Sequence, residues 1–310
     1  MRIVISEFMD EAALLGFGEA DVLYDPDLVD DRPRLLREVA SADVIVVRNR
    51  TQVDVELLDA APRLRVVGRL GVGLDNIDMD ACAARNVSVH PATGANTDAV
   101  AEYVIAAALL LVRGAFAASD DVARGEWPRG RLGQGGEIGG RVMGLVGFGG
   151  IGRAVAKRAA ALGMTVTAHD PGLPTNDPAW GEAERLDIDT LLARADVVSL
   201  HVPLIDATRN LIDAAALDRM KDTAVLVNTA RGGVVDEAAL ADALREDRLG
   251  GAALDVFEDE PLEGTSVERL RGVPNLILTP HIAGVTAEAN KRVSLLTVEN
   301  VMKAFEQASA

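Results

Sequence analysis

Three stretches of the chain carry side chains suited to acid–base chemistry on a small anion. Arg231 lies in Asn228-Thr229-Ala230-Arg231-Gly232-Gly233, Glu260 in Leu254-Asp255-Val256-Phe257-Glu258-Asp259-Glu260-Pro261, and His281 in Thr279-Pro280-His281-Ile282-Ala283-Gly284. A guanidinium can grip a carboxylate through two parallel hydrogen bonds. An imidazole can take or give a proton near neutral pH. A carboxylate beside it can orient the ring and favour its protonated form. Together they suit oxidation of an alcohol next to a carboxylate, with hydride passing to a nicotinamide. Each stretch follows a short apolar run, and ligands of open α/β sheets gather at the carboxyl ends of strands.

A place for the nicotinamide carrier is written upstream. Gly147-Phe148-Gly149-Gly150-Ile151-Gly152 is a G-x-G-x-x-G turn between the strand-like run Val142–Val146 and the helical run Arg153–Leu162. Gly147 permits the tight turn, Gly149 lets backbone approach a pyrophosphate, and Gly152 allows close helix–strand packing. The helix start offers unpaired N–H groups and a positive dipole end. The next run ends in His169-Asp170. Asp170 can accept hydrogen bonds from the ribose hydroxyls and would repel a 2′-phosphate, which favours NAD over NADP.

These residues need a scaffold, and the pattern supplies one. Short β-branched runs alternate with alanine- and leucine-rich helical runs, the mark of βαβ units. Strands are expected at Arg2–Glu7, Val22–Tyr24, Val44–Arg48, Arg65–Gly68 and Val87–Val89, then at Val142–Gly147, Thr165–His169, Val197–His201, Val225–Asn228, Ala252–Val256 and Leu276–Thr279. The second set of six predicts a Rossmann-type doubly wound parallel sheet over residues 95–285. The first set predicts a smaller flavodoxin-like α/β substrate-binding domain. It is expected to be discontinuous, residues 1–94 plus 286–310, with a closing helix from about Thr286 to Gln307. The turn-rich Pro91-Ala92-Thr93-Gly94 marks the boundary. Hinges are expected near Pro91–Asn96 and Gly284–Glu288. Gly125–Gly140 is the least regular stretch.

Composition narrows the class. The 310 residues are 49% hydrophobic and 25% charged, which excludes a disordered or fibrous chain. With 31 Lys and Arg against 48 Asp and Glu, the formal net charge is −17, which argues against a nucleic-acid partner. An anionic substrate therefore requires local arginines. The single cysteine, Cys82, excludes an intrachain disulfide and is read as a core residue. One Cys and four His cannot build a zinc cluster, and no metal is expected. The apolar start Ile3–Ile5 is too short for a leader, and the stretch Ala99–Val112 is too short to span a bilayer. A cytoplasmic protein with no membrane partner is expected.

At these positions the sequence resembles the D-isomer-specific 2-hydroxyacid dehydrogenase family, and within it the phosphoglycerate-dehydrogenase-like members. The likeness runs over nearly the whole chain. It includes Val67–Asp78, the glycine turn, His201-Val202-Pro203-Leu204 and the three stretches above. The resemblance implies Arg231 as binder of the substrate carboxylate, His281 as acid/base and Glu260, the acid immediately before Pro261, as its partner. It implies that Val72, Gly150, Ile151, Asp170, Val202, Thr229, Ala230, Arg231, Asp255, His281 and Gly284 line NAD, with Asp255 on the nicotinamide carboxamide. The loop Leu70, Gly71, Val72 and Gly73 is expected at the substrate, together with Arg231 and His281. The family also suggests a homodimer through Asn96–Gly125. Of the other histidines, His90 is read as a turn residue, His169 as shaping the ribose pocket and His201 as packing beside the cofactor.

A narrower likeness, on Ile5–Glu11, Val47–Thr51, Gly125–Arg129 and Leu145–Arg153, is to family members that act on sulfolactate. Sulfolactate and phosphoglycerate both carry a second anion, and Arg48 and Arg69, at strand ends, are expected to help hold it. Arg50, Arg124, Arg129 and Arg131 are further candidates. 3-Phosphoglycerate and glycerate or hydroxypyruvate remain open as alternative acids. A non-catalytic, NAD-responsive corepressor-like protein remains as a reading of another class, and the intact Arg231, Glu260 and His281 argue against it.

Overall fold

The computed structural model describes residues 1–309. The chain divides into two compact units, Met1–Asn96 with the chain from Val285 onward, and Thr97–Gly284.

The first unit holds β1 (Arg2–Ile5), β2 (Asp21–Tyr24), β3 (Val44–Val47), β4 (Val66–Arg69) and β5 (Ser88–Pro91). They form one parallel sheet in the order β2-β1-β3-β4-β5, the flavodoxin arrangement. Every residue of β3 is buried, as a strand covered on both faces requires. Ile45 and Val47 face Leu35, Val39 and Leu57. Val44 and Val46 face Phe17 and, from the helix Ala287–Ser309, Val293, Val298 and Val301. That period-two split ties the last helix to the N-terminal sheet. Cys82 is buried in the helix Met79–Ala84.

The second unit holds β6 (Val142–Val146), β7 (Thr165–His169), β8 (Glu184–Arg185), β9 (Val197–Leu200), β10 (Val225–Asn228), β11 (Gly251–Leu254) and β12 (Leu276–Leu278). All pair in parallel in the order β12-β11-β10-β9-β6-β7-β8. The winding reverses between β6 and β9, and such a switch point opens a crevice at the carboxyl ends. One face packs Met143, Leu145 and Val227 against Val104 and Ala108 of the helix Thr97–Arg113 and Val155 of the helix Gly150–Ala161. The other packs Val198, Leu200 and Leu226 against Leu191, Leu217, Leu240 and Leu244.

Both expected sheets are present, with local corrections. β8 is an additional edge strand of two exposed, charged residues, and only its pairing with Thr167 and Ala168 of β7 defines it. The irregular stretch contains the short helix Arg129–Leu132, and the last helix begins at Ala287. Much of the excess acid is used locally. Asp54, Asp78, Asp187, Asp213 and Asp236 each accept a backbone N–H in the first turn of the helix they precede. A cap of this kind contributes about 1 kcal/mol. No single described helix is long and apolar enough to cross a membrane.

Candidate active site

The glycine turn follows β6 at the switch point of the second unit. Gly147 has φ +91, and a Cβ there would lie 2.4 Å from the His201 carbonyl oxygen at the end of β9. A side chain is excluded twice, by backbone conformation and by the neighbouring loop. A Cβ on Gly152 would meet the Gly147 carbonyl oxygen at 2.4 Å, so the helix Gly150–Ala161 begins tight against the turn. Around Gly149 there is open space, and no side chain caps the helix. Where other helices carry an aspartate, this one presents bare N–H groups to an incoming anion.

Asp170 closes this turn from β7. Its Oδ2 accepts the Phe148 N–H at 2.8 Å and its Oδ1 the Gly172 N–H at 2.9 Å. Each carboxylate oxygen retains a lone pair for a ribose hydroxyl. Phe148 is buried and stacks on Trp180 with centroids 5.3 Å apart. His169 Nδ1 meets the Leu186 carbonyl at 3.0 Å. Burial pushes the His201 imidazole down to about 4, and its Nε2 meets Ser199 Oγ at 3.0 Å. His201 is therefore neutral at pH 7, and Val202 follows it beside the turn. Asp170→Ala is expected to weaken NAD binding by roughly ten- to a hundredfold, about one hydrogen bond to a charged group, and to relax the bias against NADP. Titration of both cofactors checks this, and a wild type that prefers NADP would refute the ribose assignment.

The loops that follow β10, β11 and β12 come together. Asn228 braces the first, its Oδ1 accepting the Ala230 N–H and its Nδ2 donating to the Arg231 carbonyl, both at 3.0 Å. Arg231 Nη1 donates to the Ala230 carbonyl at 2.6 Å. Gly232 fits against the second loop, since a Cβ there would lie 1.7 Å from the Phe257 carbonyl oxygen. In that second loop, Glu260 Oε1 accepts the Phe257 N–H at 3.0 Å, and Oε2 meets His281 Nδ1 at 2.7 Å. Burial pushes the Glu260 carboxyl up. The hydrogen bonds from His281 and Phe257, with the charges of His281 and Arg231, outweigh it and hold the group below the ordinary glutamate value. Glu260 is therefore the acceptor, Nδ1–H of His281 the donor, and Nε2 the atom left for proton transfer.

His281 has φ +52, a left-handed conformation that costs a non-glycine residue about 1 kcal/mol. Asp255 offsets this cost. Its buried carboxylate accepts from Thr279 Oγ1 (2.6 Å), the Ile282 N–H (2.8 Å) and the Ala283 N–H (2.8 Å), and its carbonyl accepts the His281 N–H at 2.8 Å. Tyr103 OH extends the network to Thr279 Oγ1 at 2.6 Å. The resemblance assigned Asp255 to the carboxamide; within this unit its two oxygens anchor the His281 loop. Gly284 ends that loop and the unit.

The remaining sequence-derived residues belong to the first unit. Arg48 and Arg69 follow and end the adjacent strands β3 and β4. Arg48 Nη2 donates to Asn290 Oδ1 at 2.8 Å, and its guanidinium lies over the Phe8 ring at 5.8 Å. Burial pushes its basicity down, against the Glu7 charge. Arg69 Nη1 donates to the Leu70 carbonyl at 2.8 Å and lies over Gly71. Leu70 is buried, whereas Val72, next to Gly73, is exposed.

Sequence reasoning missed Glu7. It is almost fully buried, and its two carboxylate oxygens accept the N–H groups of Arg48, Asn49, Arg50 and Thr51 at 2.8–3.3 Å. The signal was present as an acid ending an apolar strand, where solvation is the usual reading. Glu237 was also missed.

A dinucleotide turn closed by an acid, on the same carboxyl edge of the sheet as a histidine–carboxylate pair and an arginine, suits an oxidoreductase that moves hydride and proton together. The chain belongs to the D-isomer specific 2-hydroxyacid dehydrogenase family, whose NAD-binding domain matches residues 105–283. It is 57% identical over 305 residues to the (S)-sulfolactate dehydrogenase of Chromohalobacter salexigens, covering 98% of both chains. It is 38% identical to the hydroxypyruvate reductase of Thermotoga maritima, covering 97% of both. The structure is similar to that of the D-lactate dehydrogenase of Aquifex aeolicus complexed with NAD and lactic acid (TM-score 0.83, 28% identity, 99% of this chain and 96% of that one). The matched domain is an NAD-binding one, and these residues fit NAD. The helix start is bare, Gly149 leaves space, and Thr229 Oγ1 is buried with no hydrogen-bond partner among the described residues.

Proposed function

We propose that this chain interconverts (S)-sulfolactate and 3-sulfopyruvate with NAD. The carrying observation is the 2.7 Å contact between His281 Nδ1 and Glu260. In oxidation, neutral Nε2 removes the hydroxyl proton while the substrate carbon gives up hydride. Bound NAD supplies the acceptor for that hydride. Glu260 stabilises the resulting imidazolium, and the Arg231 fork holds the carboxylate. In reduction, the same imidazolium protonates the oxo oxygen. Gly147, Gly149, Gly150, Ile151, Gly152, Asp170, Val202, Thr229, Ala230, Arg231, Asp255, His281 and Gly284 are assigned to the cofactor, and Val72 with the Leu70–Gly73 loop to cofactor and substrate.

Likeness to the sulfolactate enzyme supports the choice of acid, and stereochemistry agrees with a D-specific family. The CH2–sulfonate substituent outranks the carboxylate because sulfur outranks oxygen, so the arrangement called D in lactate is named S in sulfolactate. The sulfonate is assigned to Arg48 and Arg69. NADH oxidation with sulfopyruvate, hydroxypyruvate and pyruvate tests this. Sulfopyruvate is expected to give the highest kcat/KM, and Arg48→Ala to lower it by roughly a hundredfold, the loss of one charged pair, while pyruvate changes little. An unchanged preference removes Arg48, and a hydroxypyruvate optimum moves the chain to that acid. Silence across the panel with NADH still bound favours a binding protein. The chain is further assigned to the cytoplasm and to a homodimer. Apolar Leu109, Leu110, Phe116, Val122 and Trp127 are exposed along one segment of the second unit, which supports a second copy as the cover.

A further inference from the structure

Phe257 and the peptide that joins it to Glu258 are held from three sides. The Phe257 N–H donates to Glu260, and its carbonyl lies against Gly232, next to Arg231. On the third side, the Glu258 N–H donates to Glu237 Oε1 at 2.7 Å. Glu237 is the first residue of the helix Glu237–Arg245 and follows its capping residue, Asp236. Such a position normally carries a solvated acid, yet Glu237 is 2% exposed. Its Oε2 makes no hydrogen bond among the described residues, and the nearest cation is Arg269 Nη1 at 3.8 Å. Arg269 also pairs with Glu258 Oε2 at 3.3 Å, and Ser266 Oγ holds Asp259 at 2.9 Å. Burial pushes the Glu237 carboxyl up, and the like charges of Glu258 and Asp259 act in the same direction. A helix start tolerates many residues, so retaining a buried acid here against desolvation calls for a specific use.

We propose that Glu237 is a positioning residue for the reaction, its buried carboxylate fixing the Phe257–Glu258 peptide so that Glu260 stays on Nδ1 of His281. The proposal rests on the acid–base reading of His281 and Glu260. Loss of the tether lets the 257–260 loop drift and weakens carboxylate support of the imidazolium. With the protonated ring less supported, the alkaline limb of the reduction profile and the acid limb of the oxidation profile both move to lower pH.

The test compares Glu237→Leu, Glu237→Gln and wild type in kcat–pH profiles for 2-oxo acid reduction, with NADH affinity measured separately. Glu237→Leu is expected to lower kcat by roughly ten- to a hundredfold, the scale of a small misplacement. Its alkaline limb should shift to lower pH while the NADH Kd stays within about twofold of wild type. Glu237→Gln keeps a carbonyl acceptor and should restore most of kcat. In a Glu260→Gln background, Glu237→Leu should add little. Wild-type kcat and limb position in Glu237→Leu, or a full additive loss in the double variant, would overturn the proposal. Should Glu237→Leu fail to bind NADH, Glu237→Asp, one methylene shorter, must show the same limb shift; an unshifted profile overturns it equally. Wild-type silence across the oxo acids would instead strike the enzymatic reading itself.

Discussion

His281→Ala is expected to lower kcat by about a thousandfold, within the range general acid–base catalysis contributes, while NADH affinity changes little. Nδ1 is committed to Glu260 at 2.7 Å, so no other nitrogen of this ring can replace Nε2. The backbone complicates the substitution, because φ is +52 at His281 and alanine is strained there. His281→Asn separates the effects. Asparagine tolerates the left-handed region but cannot exchange a proton near neutral pH, so it should lose kcat as fully as alanine while keeping more stability. Steady-state kinetics with NADH fluorescence titration checks both. Near-normal turnover in either variant would remove His281 from proton transfer.

Arg231→Ala is expected to lower kcat/KM for 2-oxo acid reduction by two to four orders of magnitude, roughly 3–5 kcal/mol for removing one partner of a desolvated charge pair. In a chain of net charge −17, little else in this loop draws in an anionic acid. KM should carry part of the loss. The rest should fall on kcat, since the Arg231 charge also helps hold the Glu260 carboxyl below its ordinary value. Arg231→Lys retains charge but loses the planar fork and should fall between wild type and alanine. If Arg231→Ala keeps its kcat/KM, the carboxylate is held elsewhere.

Elements whose cause is local were legible in the sequence. The Val44–Val47 run is strand because its side chains are β-branched and buried on both faces. The glycine turn is readable because its spacing and closing acid are consecutive features of the chain. β8 was not legible: Glu184 and Arg185 have no strand propensity, and pairing at the edge of β7 alone orders them. Glu237 looks like an ordinary first-turn acid until tertiary packing buries it against the Glu258 N–H. Asp255 was singled out by resemblance, but its hold on the His281 loop was not legible, since it depends on residues more than twenty positions later in the chain.

The carboxylate of Glu7 has a consequence for how such a chain diversifies. The amides of residues 48–51 already have an internal acceptor, so that segment needs no bound anion to satisfy them. Side chains projecting from it can be exchanged while the main chain keeps its course. On the proposed assignment of the distal anion to Arg48, preference for one acid over another would change by point substitution on a preserved frame, with no insertion or refolding of the segment.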